Sequence, residues 1–217
     1  MSLEGRDGIN LIITGIGGQG NILISRIIGE VTLGQGYWVT IGETYGASQR
    51  GGSVASHVRI SKTTEQGPIT PEGGADIVLG LEPVESLRML GLYGSPKTTV
   101  ITNTRPIHPM AVAIGEADYP ALDVIKNGIR DLTRQAWYLD ATEIAIGLGA
   151  PLLTNMVMLG ALAGSGLMPF GDEVFERQIR AAFTKEKLAL NLKAFVLGVS
   201  TIRNQGSNPD VNLNKRA

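Results

Sequence analysis

Residues 11–20 constrain the fold more than any other part of this chain, and they read LIITGIGGQG. An apolar run of strand type leads directly into glycines at positions 15, 17 and 20, a spacing typical of a turn that holds phosphate between a strand and a helix. We expect Gly15 to take backbone angles that a side chain forbids, Gly17 to let an anion approach the main chain, and Gly20 to let the helix lie close to the strand. The helix N-terminus is then a candidate anion site, or the glycines serve packing alone.

Apolar runs alternate with helical patterns over most of the chain. Strands are predicted over residues 9–14, 37–41, 77–81, 98–102 and 136–139. Helices are predicted over residues 18–32, 83–90, 120–132 and 143–148, followed by two largely helical stretches, 155–164 and 172–203. This order predicts an α/β fold with a Rossmann-like, mostly parallel sheet flanked by helices and extra C-terminal helices. We expect one domain over residues 8–203 and a flexible tail over 204–217.

Several local patterns refine this prediction. In residues 53–60 apolar side chains alternate, with Val54, Val58 and Ile60 on one face, which predicts an added antiparallel strand near a sheet edge. Pro83 suits the first turn of a helix, and Asp140 suits a cap. Asn155 is predicted to cap the helix that follows it.

Composition excludes several function classes. Lys and Arg total 19 against 20 for Asp and Glu, so the chain has no electrostatic footprint for nucleic acid or an anionic membrane. It has no cysteine and only two histidines, so no metal site is predicted and any iron–sulfur cluster must belong to a partner. No apolar run of about 18 residues and no secretory signal is evident, so we expect a cytoplasmic protein. The low charged fraction, 18%, favours an oligomer.

A second constellation lies at residues 43–53, which read ETYGASQRGGS. Arg50 suits a carboxylate or phosphate through two parallel N–H bonds, Gly51 and Gly52 can turn successive N–H groups toward the same anion, and Gln49 adds a further polar group. The alternative is that Arg50 pairs with a carboxylate and the glycines only form a tight turn. Glu43 lies near the distance at which an acidic residue binds a ribose hydroxyl, although it also suits a solvated loop.

Two further residues complete the candidate set. Asn103 follows the fourth predicted strand, at the carboxyl edge where open α/β sheets hold ligands, and is predicted to line a pocket. His57 on a strand is interpreted as a structural residue, because no nucleophile accompanies it in a motif. No catalytic residue is predicted in this chain.

Five stretches together resemble the small, gamma-type subunit of 2-oxoacid:ferredoxin oxidoreductases: GIGGQG, ETYGASQRGGSVASHVRI, ADIVLGLEP, NTRPIHP and TNMVMLGAL. The resemblance covers the chain from Asn10 to about Phe195. The SQRGGSV segment followed by SHVR looks most like the indolepyruvate oxidoreductase beta subunit. Subunits for pyruvate, 2-oxoglutarate or branched-chain substrates are the close competitors.

The resemblance implies a complex that cleaves a 2-oxo acid, forms an acyl-coenzyme A and passes electrons to ferredoxin. It places thiamine diphosphate and iron–sulfur clusters on partner subunits, so this chain is expected in a hetero-oligomer, with a homodimer possible when it is alone. Its implied role is to wall the reaction site and to help place coenzyme A. The anion cradle is assigned to Gly17, Gly18, Gln19 and Gly20, and a ligand clamp or subunit contact to Gln49, Arg50, Gly51 and Gly52.

Two alternatives come from other functional classes. The opening glycines and Glu43 also fit an independent nicotinamide-dependent dehydrogenase. A ligand-sensing or scaffold module without a part in catalysis is the second alternative.

Overall fold

The computed structural model describes residues 8–46, 52–108, 112, 114–205 and 210–211. Its strands are Gly8–Ile16 (β1), Trp38–Tyr45 (β2), Ser53–Ser61 (β3), Ile77–Gly80 (β4), Thr99–Asn103 (β5), Gln135–Leu139 (β6) and Asp210–Val211 (β7). Its α-helices are Asn21–Gly34 (α1), Pro83–Tyr93 (α2), Leu122–Leu132 (α3), Ala141–Gly147 (α4), Thr154–Gly164 (α5), Asp172–Ala182 (α6) and Lys185–Asn204 (α7). A short 3₁₀ helix, Pro151–Leu153, precedes α5.

These strands form one sheet in the order β2-β3-β1-β4-β5-β6-β7. The four central strands β1, β4, β5 and β6 are parallel, whereas β3 is antiparallel to both β1 and β2. The prediction of an α/β fold is confirmed, and so is the antiparallel strand at residues 53–60. A direct connection from β2 to β3 requires this, because parallel neighbours need a longer crossover.

Helices cover both faces of the sheet. The larger core joins one face of β1, β3 and β4 to α1, α5, α6 and α7, and the smaller core joins the other face to α2 and α3. Helix α5 is buried from Thr154 to Ala163, which explains why its sequence is apolar on every side. Within the described residues no helix has both the length and the apolar character needed to cross a membrane.

Several predicted boundaries differ from the structure. The helical stretch over 172–203 is two helices, because Phe183 and Thr184 have extended backbone. The second strand continues to Tyr45, since it pairs with β3 along its whole length. Helix α5 begins at Thr154, so Asn155 lies inside its first turn and the prediction that Asn155 caps it is wrong.

Two other local predictions are confirmed. Pro83 is the first residue of α2, and the Asp140 side chain accepts a hydrogen bond from the Glu143 N–H at 3.0 Å. Part of the segment predicted as a tail, Asp210–Val211, pairs with β6. The assignment of a single domain over residues 8–203 stays a prediction.

Candidate functional site

The two glycine-rich segments meet at the carboxyl edge of the parallel strands. The Gly17 N–H donates a hydrogen bond to the Gly52 carbonyl at 2.9 Å. Beside it, the Val54 carbonyl accepts from Asn21 Nδ2 at 3.2 Å and from Thr14 Oγ1 at 3.3 Å. The end of the β2–β3 hairpin loop is therefore fastened to the loop between β1 and α1. The predicted clamp residues Gln49, Arg50 and Gly51 lie outside the described residues.

The loop between β1 and α1 takes left-handed backbone angles at Gly18 and Gly20, where φ is 99° and 93°. Gly15 does not take the angles predicted for it, because it still belongs to β1 and has no positive φ. A Cβ on Gly20 would lie 2.2 Å from Asn155 Nδ2, so this glycine makes room for the first turn of α5 and not for β1. No atom of the described residues lies within 4 Å of the corresponding point on Gly18, so these residues leave the loop open there.

The Gln19 side chain forms hydrogen bonds across this loop. Its Oε1 atom accepts a hydrogen bond from the Ile16 N–H at 2.6 Å, and its Nε2 donates to the Leu81 carbonyl at 3.0 Å. A Cβ on Gly15 would lie 2.5 Å from that Oε1 atom, so a larger residue at this position would displace the Gln19 side chain. The Gln19 side chain thus ties the loop to Leu81 at the end of β4, and both ends of its amide are bound within the protein.

Helix α1 begins without any acidic group. Its N-cap is Gly20, its first turn contains no Asp or Glu, and no side chain caps it. The N–H groups of a first helical turn have no carbonyl partner inside the helix, and they coincide with the positive end of the dipole. Asn21 Oδ1 is buried and has no hydrogen-bond partner among the described atoms. This end of α1 has the electrostatics of an anion site.

Glu43 lies on β2 and not in a loop, opposite Ser56 of β3. Its carboxylate accepts a hydrogen bond from the exposed Tyr45 hydroxyl. Because β3 separates β2 from β1, Glu43 is one strand farther from the glycine loop than the ribose-binding carboxylate of a dinucleotide fold. This strand order removes the geometric basis of the ribose prediction.

Asn103 is buried at the end of β5, and both ends of its amide are used. Its Nδ2 donates to the Leu81 carbonyl at 3.1 Å and to Thr142 Oγ1 at 3.0 Å, while its Oδ1 accepts from the Ala141 N–H at 3.1 Å. The side chain therefore joins β4 and β5 to the start of α4. Asn103 thus has a structural role at the carboxyl edge of the sheet, and the prediction that it lines a pocket finds no support in these contacts.

His57 is buried, as a structural residue would be. Its Nδ1 accepts from the Thr70 N–H at 3.4 Å, and its ring meets Tyr93 edge-on. Burial lowers the pKa of His57, and the charge of Arg59 lowers it further. Arg59 in turn donates to the Gly67 carbonyl at 3.0 Å. These two residues hold the long connection after β3 against the sheet.

Two buried carboxylates next to the glycine loop, Glu82 and Glu85, were not predicted from the sequence. Glu82 caps α2 by accepting from the Glu85 N–H at 2.9 Å, and its other oxygen accepts from the Tyr119 hydroxyl and from the Ile107 N–H at 3.3 Å. The hydrogen bond to Glu82 and burial raise the pKa of Tyr119, burial being the larger cause. A Glu-Pro pair directly after a buried strand was the available signal.

Glu85, the second of these carboxylates, belongs to the first turn of α2. It accepts a hydrogen bond from the Ser53 hydroxyl and lies 3.3 Å from the Arg88 guanidinium. Burial raises the pKa of the Glu85 carboxyl, the Ser53 bond and Arg88 oppose that rise, and Glu82 adds to it. Among the described side chains no group of three His, Cys, Asp or Glu residues has metal-binding geometry.

Comparison with known proteins decides the family. The model of the pyruvate ferredoxin/flavodoxin oxidoreductase family matches residues 10–201. The chain belongs to this family. The resemblance drawn from the sequence is thereby confirmed, and the family match supports an oxidoreductase subunit over an independent dehydrogenase.

Two relatives of the chain are subunits of indolepyruvate oxidoreductases. The chain is 43% identical over 190 residues to indolepyruvate oxidoreductase subunit IorB of Archaeoglobus fulgidus, covering 88% of this chain and 93% of the relative. It is 38% identical over 195 residues to IorB of Thermococcus kodakarensis, covering 89% and 96%. These two relatives match nearly end to end, so the family assignment extends over both glycine-rich segments.

Solved structures of this family share the fold. Subunit PORC of pyruvate oxidoreductase from Thermotoga maritima superimposes with a TM-score of 0.66 at 20% identity, covering 90% of this chain and 97% of that one. A 2-oxoglutarate:ferredoxin oxidoreductase chain from Magnetococcus marinus gives 0.70 at 19% identity, covering 92% of this chain and 32% of the longer one. The same architecture therefore occurs both as a separate chain and as part of a longer polypeptide.

Proposed function

We propose that this chain is the subunit of a 2-oxoacid:ferredoxin oxidoreductase that carries neither thiamine nor a cluster, with an indolepyruvate-like 2-oxo acid as substrate. The names of the relatives at 38–43% identity support this substrate class. The absence of cysteine from all 217 residues supports clusters on a partner. In this proposal the chain works in a cytoplasmic hetero-oligomer with a thiamine- and cluster-carrying subunit, which passes electrons to ferredoxin.

We propose further that the paired glycine loops place coenzyme A through its pyrophosphate. The observation that carries this is the Gly17 to Gly52 hydrogen bond, which joins the end of the second glycine-rich segment to the loop before the uncapped end of α1. The open backbone at Gly18 leaves room for a phosphate, and the free N–H groups of the α1 first turn supply donors. Arg50, with Gln49, Gly51 and Gly52, is proposed as the clamp on this anion or as the contact to the partner.

The chain's own contribution is then positioning and the exclusion of water. Thiamine diphosphate and clusters on the partner supply the decarboxylation chemistry and the electron path. The Rossmann-like half of this fold binds and orients the acyl acceptor at the edge of that centre, which lowers the entropic cost of the transfer.

A glycine pair tests the cradle in the reconstituted complex. Gly18→Val should raise the KM for coenzyme A by about tenfold or more, because a side chain would fill the phosphate position. Gly36→Val is the matched control, since Gly36 also has a positive φ, 80°, and open space but lies beyond the opposite end of α1. Equal KM values for the two variants would contradict the cradle.

Arg50→Ala tests the clamp in the same assay. Loss of a guanidinium from an anion should raise the KM for coenzyme A by about tenfold or more. An unchanged KM in an intact complex would remove Arg50 from the clamp, and loss of assembly would assign it to the subunit contact.

A further inference from the structure

We propose that Glu85 is a positioning residue for this site, because its carboxylate holds Ser53 and through it the end of the β2–β3 loop against the glycine loop. The inference rests on the proposed function of the paired loops. Ser53 is the first residue of β3, and its hydroxyl donates to Glu85 Oε2. Glu85 lies on α2, so the contact joins the start of β3 to a helix that is distant in the sequence.

Ser53 stands where the two loops are fastened together. Its carbonyl accepts from the Gly46 N–H at 2.7 Å, which closes the hairpin, and the preceding Gly52 carbonyl accepts from the Gly17 N–H at 2.9 Å. A shift of Ser53 would therefore disturb the hairpin closure and the contact to the glycine loop together. The Ser53 hydroxyl, bound to Glu85, is the side-chain anchor of this junction.

Glu85 is fixed independently of the loop. Its N–H is bound by the Glu82 side chain at 2.9 Å, which sets the first turn of α2, and the residue is only 4% exposed. A buried carboxylate is costly without hydrogen-bond donors, so it holds its donors firmly. Arg88 supplies one partner from the solvent side, and Ser53 supplies the other from the site. Glu85 is thus a fixed acceptor on α2 that sets the position of Ser53.

The test compares four variants in the assembled complex. Ser53→Ala and Glu85→Ala remove the donor and the acceptor, whereas Ser53→Thr keeps the hydroxyl and Glu85→Gln keeps an acceptor oxygen. Glu176→Ala is the control, because Glu176 forms a surface ion pair with Arg180 on α6, away from both loops. The readouts are the KM and kcat for coenzyme A and the hydrogen exchange of the Gly17 and Gly46 amides, with assembly checked by size-exclusion chromatography.

We expect Ser53→Ala and Glu85→Ala to raise the KM for coenzyme A about tenfold and to accelerate exchange of both amides similarly, the usual size of a lost hydrogen bond to a charged group. The kcat should stay within about twofold, since the chemistry lies elsewhere. The double variant should be no worse than the worse single one, because both act through one contact. Ser53→Thr and Glu85→Gln should recover much of the loss.

Each contrary result has its own meaning. Unchanged exchange at Gly17 and Gly46 in an assembled Ser53→Ala complex would overturn the positioning role. Faster exchange with an unchanged KM would also overturn it, provided that Gly18→Val raises the KM in the same assay. If neither Gly18→Val nor Ser53→Ala changes the KM, the coenzyme A site itself is wrong, and that failure belongs to the proposed function.

Discussion

Helices α1 and α2 begin at the same edge of the sheet, after the neighbouring parallel strands β1 and β4, yet their first turns are opposite in chemistry. Helix α2 is capped by the Glu82 side chain, starts with Pro83 and carries Glu85 in its first turn. Helix α1 is preceded by Gly20 and has neither an acidic residue nor a side-chain cap there. The positive end of α2 is neutralised by the protein's own carboxylates, whereas the first turn of α1 contains no carboxylate.

The two helix starts also differ in what their side chains contact. The carboxylates at α2 accept hydrogen bonds from Ser53 and Tyr119, so they hold the segments on either side of the glycine loop. At α1 the side chains of Gln19 and Asn21 donate hydrogen bonds to the Leu81 and Ile13 carbonyls inside the protein. The polar groups then left to face outward at this helix start are those of the backbone. The side chains at the start of α2 thus hold neighbouring segments in place, whereas the start of α1 has no side-chain cap on its backbone N–H groups.

Among substitutions at these two helix starts, Gly20→Val should destabilise the protein most. The substitution combines a positive φ with a collision against Asn155, and we expect it to lower the free energy of unfolding by about 4 kcal/mol. Gly18→Val carries the strain without the collision and should cost about 2 kcal/mol. Chemical denaturation of the two variants measures the difference, and equal losses would show that Asn155 does not pack against Gly20.

Removing the cap of α2 should have the next largest effect. Glu82→Ala takes away the acceptor for the Glu85 N–H and leaves the half-buried Tyr119 hydroxyl without it, for a loss of about 2–3 kcal/mol. Asp140→Ala at the start of α4 is the matched control, because the exposed Asp140 side chain bonds the Glu143 N–H in the same way. It should cost about 1 kcal/mol. Thermal unfolding separates the two, and a Glu82→Ala loss no larger than the control would exclude the role of Tyr119.

Features that depend on neighbouring residues in the sequence could be predicted, whereas features that depend on contacts between distant segments could not. The strand, the glycine turn and α1 are contiguous, so their spacing in LIITGIGGQG was sufficient to predict them. The position of Glu43 depends on β3 entering between β1 and β2, a pairing between distant segments that no local pattern reveals. The burial of Glu85 and Glu82 likewise depends on distant residues, among them Ser53 at 32 residues from Glu85 and Tyr119 at 37 residues from Glu82. The Glu-Pro pair indicated a helix start, but it did not indicate that the carboxylates there are buried.

A carboxylate in the first turn of α1 would give this helix the acidic start that α2 already has, with a small effect on stability. Ile22 lies in the first turn of α1 and its side chain is about half exposed, so Ile22→Asp places a carboxylate at the open positive end with little loss of packing. Measured against Ile22→Asn, which has the same shape without the charge, the aspartate should stabilise the helix by about 0.5 kcal/mol. The same charge should raise the KM for coenzyme A, and added salt should reduce that rise because the groups are near the surface. Identical KM values for the two variants at low salt would mean that no anion binds at this end of α1, and the contrast between the two helices would then be one of folding alone.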